Sequence, residues 1–144
     1  MVPTFHSGDY LIVDQLSFRF HEPERGAVII MRYPKDESVY FIKRIIGLPG
    51  ETVEIQGARV IIRKPGMEPQ ILEQPYLADV LHRPEYATYT LAEDEYFVMG
   101  DNRDASSDSR VWGALPKHDI IGRAFIRLFP FSGLGYLPGH TNTP

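Results

Sequence analysis

The sequence predicts an all-β fold, on three observations. Apolar residues recur with period two along short runs, no stretch shows a convincing helical period, and the 12 glycines and 12 prolines fall mostly between the runs. A β domain with many turns needs glycine and proline in just those places. Residues 10–13 open the series after Gly8-Asp9. Residues 27–33 are an apolar run rich in β-branched side chains, stopped by Pro34. Residues 39–46 are another, stopped by Gly47-Leu48-Pro49-Gly50. Residues 52–55 and 59–63 flank Gln56-Gly57-Ala58 and read as a hairpin. Residues 64–84 carry Pro65, Pro69, Pro75 and Pro84 and read as an irregular excursion, not a linker. Residues 86–91 and 95–99 form a further strand pair, and residues 123–129 close the list. The one helical hint is a turn near residues 116–121, with Pro116 at a first helical position.

The length of 144 residues suits a single domain, 1–144. With 43% hydrophobic and 24% charged residues the chain buries a core and is not disordered. A net charge of −4 gives no basic field for a phosphate backbone, which argues against nucleic acid as a partner. The absence of cysteine removes disulfides, thiol nucleophiles and cysteine zinc sites. His6, His21, His82, His118 and His140 are scattered without metal-ligand spacing. The longest uncharged stretch, after Leu128, is broken by Pro130, Gly133, Gly135, Pro138 and Gly139, so it does not make the roughly 20 apolar residues of a membrane span. Phe129, Phe131, Leu134, Tyr136 and Leu137 within it read equally as core or as a lipid-resting surface.

Three segments stand out: Met1-Val2-Pro3-Thr4, followed shortly by Gly8-Asp9, and two that hold the candidate chemistry. In Phe41-Ile42-Lys43-Arg44-Ile45-Ile46, the pleat puts Lys43 on one face with Phe41 and Ile45, and Arg44 on the other with Ile42. Lys43 then either covers apolar surface and reaches water with its tip, or is desolvated until its amine loses its proton and becomes a base. In Gly100-Asp101-Asn102-Arg103-Asp104-Ala105-Ser106-Ser107-Asp108-Ser109-Arg110, the plain reading is a charged turn with aspartates and arginines paired locally. The arginines and the missing central glycine argue against a calcium loop.

In order and spacing these segments resemble the type I signal peptidases. Met1-Val2-Pro3-Thr4 matches a motif that begins with the family's nucleophilic serine. Arg25-Gly26 matches a strand opener, with Ala27 in place of its acid. Residues 43–50 match the lysine motif, Phe41 replacing its tyrosine, and residues 100–110 match the Gly-Asp-Asn motif in full. The resemblance implies a fold of coiled antiparallel sheets and a serine endopeptidase that removes signal peptides from exported preproteins after Ala-x-Ala-like sites. It implies Lys43 as general base and Ser106 as the hydroxyl that orients it. Asp108 and Arg110 would support the loop as an ion pair, with Asp101, Asn102 and Arg103 shaping it. Met1, Phe5, Phe41 and Ile42 would line shallow apolar substrate pockets. No cofactor and no metal are implied. The nucleophilic serine is expected immediately before Met1, so the 144 residues by themselves are expected to be inactive and soluble. An N-terminal anchor would hold the catalytic domain on the outer side of the cytoplasmic membrane. Two alternatives stay open: a self-cleaving repressor-type serine/lysine protease, and an inactive β domain that binds extended peptides by strand addition.

Overall fold

A computed structural model describes residues 1–77, 85–130 and 134–141. Eleven strands and one single-turn helix follow in the order β1 (Tyr10–Asp14), β2 (Val28–Tyr33), β3 (Asp36–Gly47), β4 (Thr52–Gln56), β5 (Arg59–Arg63), β6 (Gln70–Ile71), β7 (Tyr86–Thr90), β8 (Glu95–Met99), α1 (Ser109–Trp112), β9 (Leu115–Pro116), β10 (Ile120–Phe129) and β11 (Gly135–Tyr136). The larger sheet runs β1-β10-β2-β3-β8-β9, with β11 also on β10; the smaller runs β6-β5-β4-β7. All of these pairings are antiparallel. The all-β reading therefore holds.

The pleat of β2 and β3 sorts the core. Ile29 and Met31 share a buried cluster with Ile45, Tyr96, Val98 and Leu115. Val28 lies on the opposite face with Phe5 and Ala124, and Ile30 and Ile42 pack at that cluster's edge. A third cluster joins Ile46, Phe97 and Met99 of the larger sheet to Val53, Ile55, Val60 and Ile62 of the smaller. The two sheets meet where β3 ends at Gly47. A Cβ at Gly47 would lie 2.4 Å from Val53 Cγ2 and 2.9 Å from Leu91 Cδ1. Gly47→Ala is thus expected to cost about 1–3 kcal/mol by overpacking. Urea unfolding reads this, and an unchanged midpoint would show that the chains here have room to move.

The turn after Gly47 is held from outside. The Arg25 guanidinium grips Glu51 with two bonds of 2.8 Å and donates to the Ile46 carbonyl at 2.7 Å. Glu51 in turn accepts from the Leu48 amide at 2.9 Å. Both members of this pair are buried.

Three sequence expectations need correction. Residues 86–91 and 95–99 do not pair with each other: β7 joins β4, whereas β8 joins β3. The expected turn near Pro116 is a 3-10 turn, Lys117–Asp119, with Pro116 preceding it; the only α-helical turn among the described residues is α1. The described part of the proline-rich excursion is not wholly irregular. It adds β6 to β5 and buries Leu72 in the third cluster; Pro84 lies outside the described residues. Phe129, Leu134 and Tyr136 are exposed, so they are not core, and Leu137 is partly buried. Phe131 lies outside the described residues. Among those residues no helix is long and apolar enough to cross a membrane.

Candidate active site

β3 positions the lysine. Register places Lys43 opposite Ile29, a fully buried residue, and its own face carries Phe41 and Ile45. The Lys43 Nζ lies 4.9 Å from the centre of the Phe41 ring. Burial pushes its pKa below that of an ordinary lysine; Asp108 and Asp101 pull the other way, and Arg110 adds to the depression. Lys43 is partly buried, and that burial favours the desolvated alternative.

The loop after β8 brings the remaining groups. A Cβ on Gly100 would fall 2.2 Å from Ser106 Oγ and 3.8 Å from Lys43 Nζ. Glycine at this position therefore leaves the space that the serine hydroxyl and the lysine amine share. Ser106 Oγ is buried without a hydrogen bond of normal geometry. It lies close enough to Asp108 to favour that carboxylate's ionised form, yet is not aligned to bond it. The expected bond between Ser106 and the lysine amine is not formed in this structure.

Asp108 organises the loop. Its carboxylate accepts from the Gly100 amide at 3.0 Å and from Arg110 at 2.9 Å through both Nε and Nη2, and it caps α1 through the Arg110 amide. Burial alone would raise its pKa, but Arg110 and the Gly100 amide outweigh it and the carboxyl lies below the usual range. Arg110 also donates to the Arg103 carbonyl at 2.6 Å. Arg103 is buried and bonds the Gly100 carbonyl at 3.1 Å. Asn102 is exposed, and its carbonyl accepts from Ala105 at 3.3 Å. A cavity of about 360 Å³ lies behind Ser106, between this loop and the β4–β5 hairpin.

The first residues arrive from the far side. Burial and, after it, the Lys43 charge push the Met1 amine below the usual N-terminal pKa, while Asp101 pulls the other way. Met1 Sδ accepts from the Asp101 amide at 3.4 Å. The Thr4 hydroxyl donates to the Asp101 carboxylate, and Arg127 donates to the Thr4 carbonyl. Arg127 also stacks over Phe5, 4.5 Å from its ring centre. Met1, Leu11, Ile30 and Ile42 form a partly exposed apolar surface over Phe5, Val28 and Ala124. Phe41 does not belong to it. It sits on the opposite face of β3, packed against the cluster of Ile29, Met31 and Ile45, with its ring 5.1 Å from that of Tyr33.

Sequence reasoning did not single out Leu11, Ile30 or Arg44. For Ile30 a signal existed, since it stands directly opposite Ile42. Arg44 makes a fully buried bidentate pair with Asp101, at 2.8 and 2.7 Å. It also donates to the carbonyls of Gly26 and Gly139. Asp101 is thereby the link between β3 and residues 1–4.

The chain is similar to proteins already known. The chain is 40% identical to a "Probable signal peptidase I-1" of Synechocystis sp., with all of this chain aligned to 74% of that protein. It is 39% identical to a signal peptidase I of Leptolyngbya laminosa, over 95% of this chain and 68% of the relative. The crystal structure of a signal peptidase I from Enterococcus faecalis V583 superposes with a TM-score of 0.60 at 28% identity, covering 72% of this chain and 97% of that one. Residues 1–129 match the family described as signal peptidase, peptidase S26, and the chain belongs to that family.

Proposed function

We propose that the chain is the catalytic domain of a serine endopeptidase that removes N-terminal signal peptides from exported preproteins, cutting after Ala-x-Ala-like sites with a serine/lysine dyad. The observation that carries this is the meeting of the partly buried Lys43 amine and the Ser106 hydroxyl over Gly100, with Met1 fastened to the adjoining Asp101 amide. A serine bonded to the Met1 nitrogen would place its hydroxyl beside the lysine amine. Neutral Lys43 takes the hydroxyl proton, and the oxygen attacks the scissile carbonyl. The resulting ammonium returns the proton to the leaving amine, and the lysine then activates the water that frees the acyl group. The buried Ser106 hydroxyl, not bonded to the amine in this structure, would orient it after a small rotation, without supplying a negative charge that would hold its proton. Asp108 and Arg110 neutralise each other beside it. The shallow apolar surface of Met1, Leu11, Ile30 and Ile42 suits small side chains of an extended peptide. Exposed Tyr10, Ile12, Phe129, Leu134 and Tyr136 rest on lipid at the outer side of the cytoplasmic membrane.

The test compares the 144-residue chain with one extended upstream through the serine, on a peptide bearing an Ala-x-Ala site. Only the extended chain is expected to cleave. Within it, Ser106→Ala is expected to slow cleavage, but less than Lys43→Met, because water takes over part of the orienting role. Lysine-dependent cleavage by the unextended chain would overturn the placement of the nucleophile. Wild-type rates for Ser106→Ala would remove Ser106 from the site.

A further inference from the structure

Arg44 is saturated in its own plane. Nε and Nη2 are held by Asp101, and Nη1 by the Gly26 and Gly139 carbonyls. Hydrogen bonds leave the two flat faces of a guanidinium uncovered. One face meets the ring of Tyr76, whose centre lies 3.8 Å from Cζ. Tyr76 comes from the excursion after β6, far from either site motif in sequence. That strap, residues 72–77, is fastened to the smaller sheet. Leu72 is buried there and its amide donates to the Val60 carbonyl at 2.8 Å. Gln74 donates to the Ala58 carbonyl at 3.2 Å and accepts from Arg103 Nη2 at 2.5 Å. The strap thus touches both buried arginines behind the candidate active site, one through a ring face and one through an amide.

Resting on the dyad reading above, we infer that Tyr76 is a positioning residue for the peptidase reaction: its ring seals the buried Arg44–Asp101 pair that fixes residues 1–4 against Lys43. Asp101 is the shared element. Its carboxylate takes Arg44 and the Thr4 hydroxyl, while its amide bonds Met1 Sδ. With the ring in place both side chains of the pair are fully inaccessible. Without it, water reaches the guanidinium, the local dielectric rises and the attraction that holds Asp101 weakens. Residues 1–4 then lose their fixed distance to the lysine. A stacked ring supplies this seal through its face; the hydroxyl is directed to Arg103 instead and takes no part in the seal.

The test makes Tyr76→Phe, Tyr76→Leu and Tyr76→Ala in the serine-extended chain. Tyr76→Ala is expected to lower kcat about 10- to 100-fold with KM within about threefold, since misplacement near 1 Å costs rate on that order. Tyr76→Leu, which keeps apolar bulk and the fold, is expected to move in the same direction, and Tyr76→Phe to retain wild-type kcat. A second readout needs no cleavage: hydrogen exchange at the Arg44 Nε–H, followed by NMR in the 144-residue chain. It is expected to be slow in wild type and Tyr76→Phe and fast in Tyr76→Leu and Tyr76→Ala. Unchanged Arg44 exchange, or kcat within about twofold of wild type in Tyr76→Leu and Tyr76→Ala, would overturn the proposal. If no extended chain cleaves, the dyad reading falls, and the Arg44 exchange alone decides the seal.

Discussion

Replacing Lys43 by arginine in the serine-extended chain is expected to abolish cleavage, although a positive charge stays at position 43. A guanidinium does not deprotonate in the working range, so it cannot take the serine proton. A positioned general base contributes about 10²–10⁴-fold, and Lys43→Met should lose as much. The wild-type extended chain should show kcat/KM rising along an alkaline limb set by the amine. That limb lies below the pH of an ordinary lysine, because burial depresses the pKa. Stability follows the same shift. The unfolded chain binds more protons in the window between the folded and unfolded pKa values, so stability rises with pH across that window. The penalty is complete below the folded pKa and gone above the unfolded one. Lys43→Met is therefore expected to melt at a higher temperature than wild type near neutral pH, the gap narrowing towards the ordinary lysine pKa of about 10.4. Thermal melts of both forms measure it. A Lys43 amine that titrates by NMR like a free lysine would remove the general-base role.

The second large effect is structural. Asp101→Ala is expected to destabilise the fold by about 3–5 kcal/mol, the usual cost of leaving one member of a buried ion pair alone. Arg44 and Asp101 both have 0% side-chain exposure, so no water is at hand to replace the carboxylate. Arg44 Nε and Nη2 would lose their acceptors together, and the Thr4 hydroxyl a third bond. By contrast Arg32–Glu37, at 3.9 Å and with 41% and 71% of the side chains exposed, should be removable without measurable change. Urea unfolding of the 144-residue chain distinguishes the two. A loss below about 1 kcal/mol for Asp101→Ala would show that the pair contributes no more than a surface contact.

Much of the site was legible because its signals are local. The neighbours of Lys43 two residues either side put it on an apolar face, which left a water-reaching and a desolvated amine both open until its surroundings were seen. Asp108 and Arg110 are two residues apart and pair as the charged-turn reading expects. The family resemblance located Ser106 through spacing within one loop. The rest depends on partners far along the chain. Arg44 and Asp101 are 57 residues apart, and nothing near either one announces the other. Tyr76 sits among prolines, where neither helix nor strand period exists to be read. β6, β9 and β11 have two residues each, too few to carry alternation. Residues 86–91 and 95–99 read as partners because a short turn joins them. Turn chemistry says where a chain reverses but not which sheet claims each arm, and β4 and β3 claim one each. α1 was missed because one turn capped by Asp108 shows no helical period. Of the two serine/lysine protease readings, family membership decides for the signal peptidase.

The junction at Arg44 also bears on the order in which the molecule assembles. It gathers Gly26, Asp101 and Gly139, and through Asp101 also Thr4. The Thr4–Asp101 and Arg44–Gly139 contacts span 97 and 95 residues of chain. Closing loops of that length costs entropy before any contact repays it, so such contacts form late. As the chain is delivered from its N-terminal side, the β2–β3 and β4–β5 hairpins are free to form early, while the carbonyl of Gly139 reaches Arg44 only after nearly all of this sequence is present. A junction wired in this way closes only once residues from both ends of this sequence are present, so the fold completes there last.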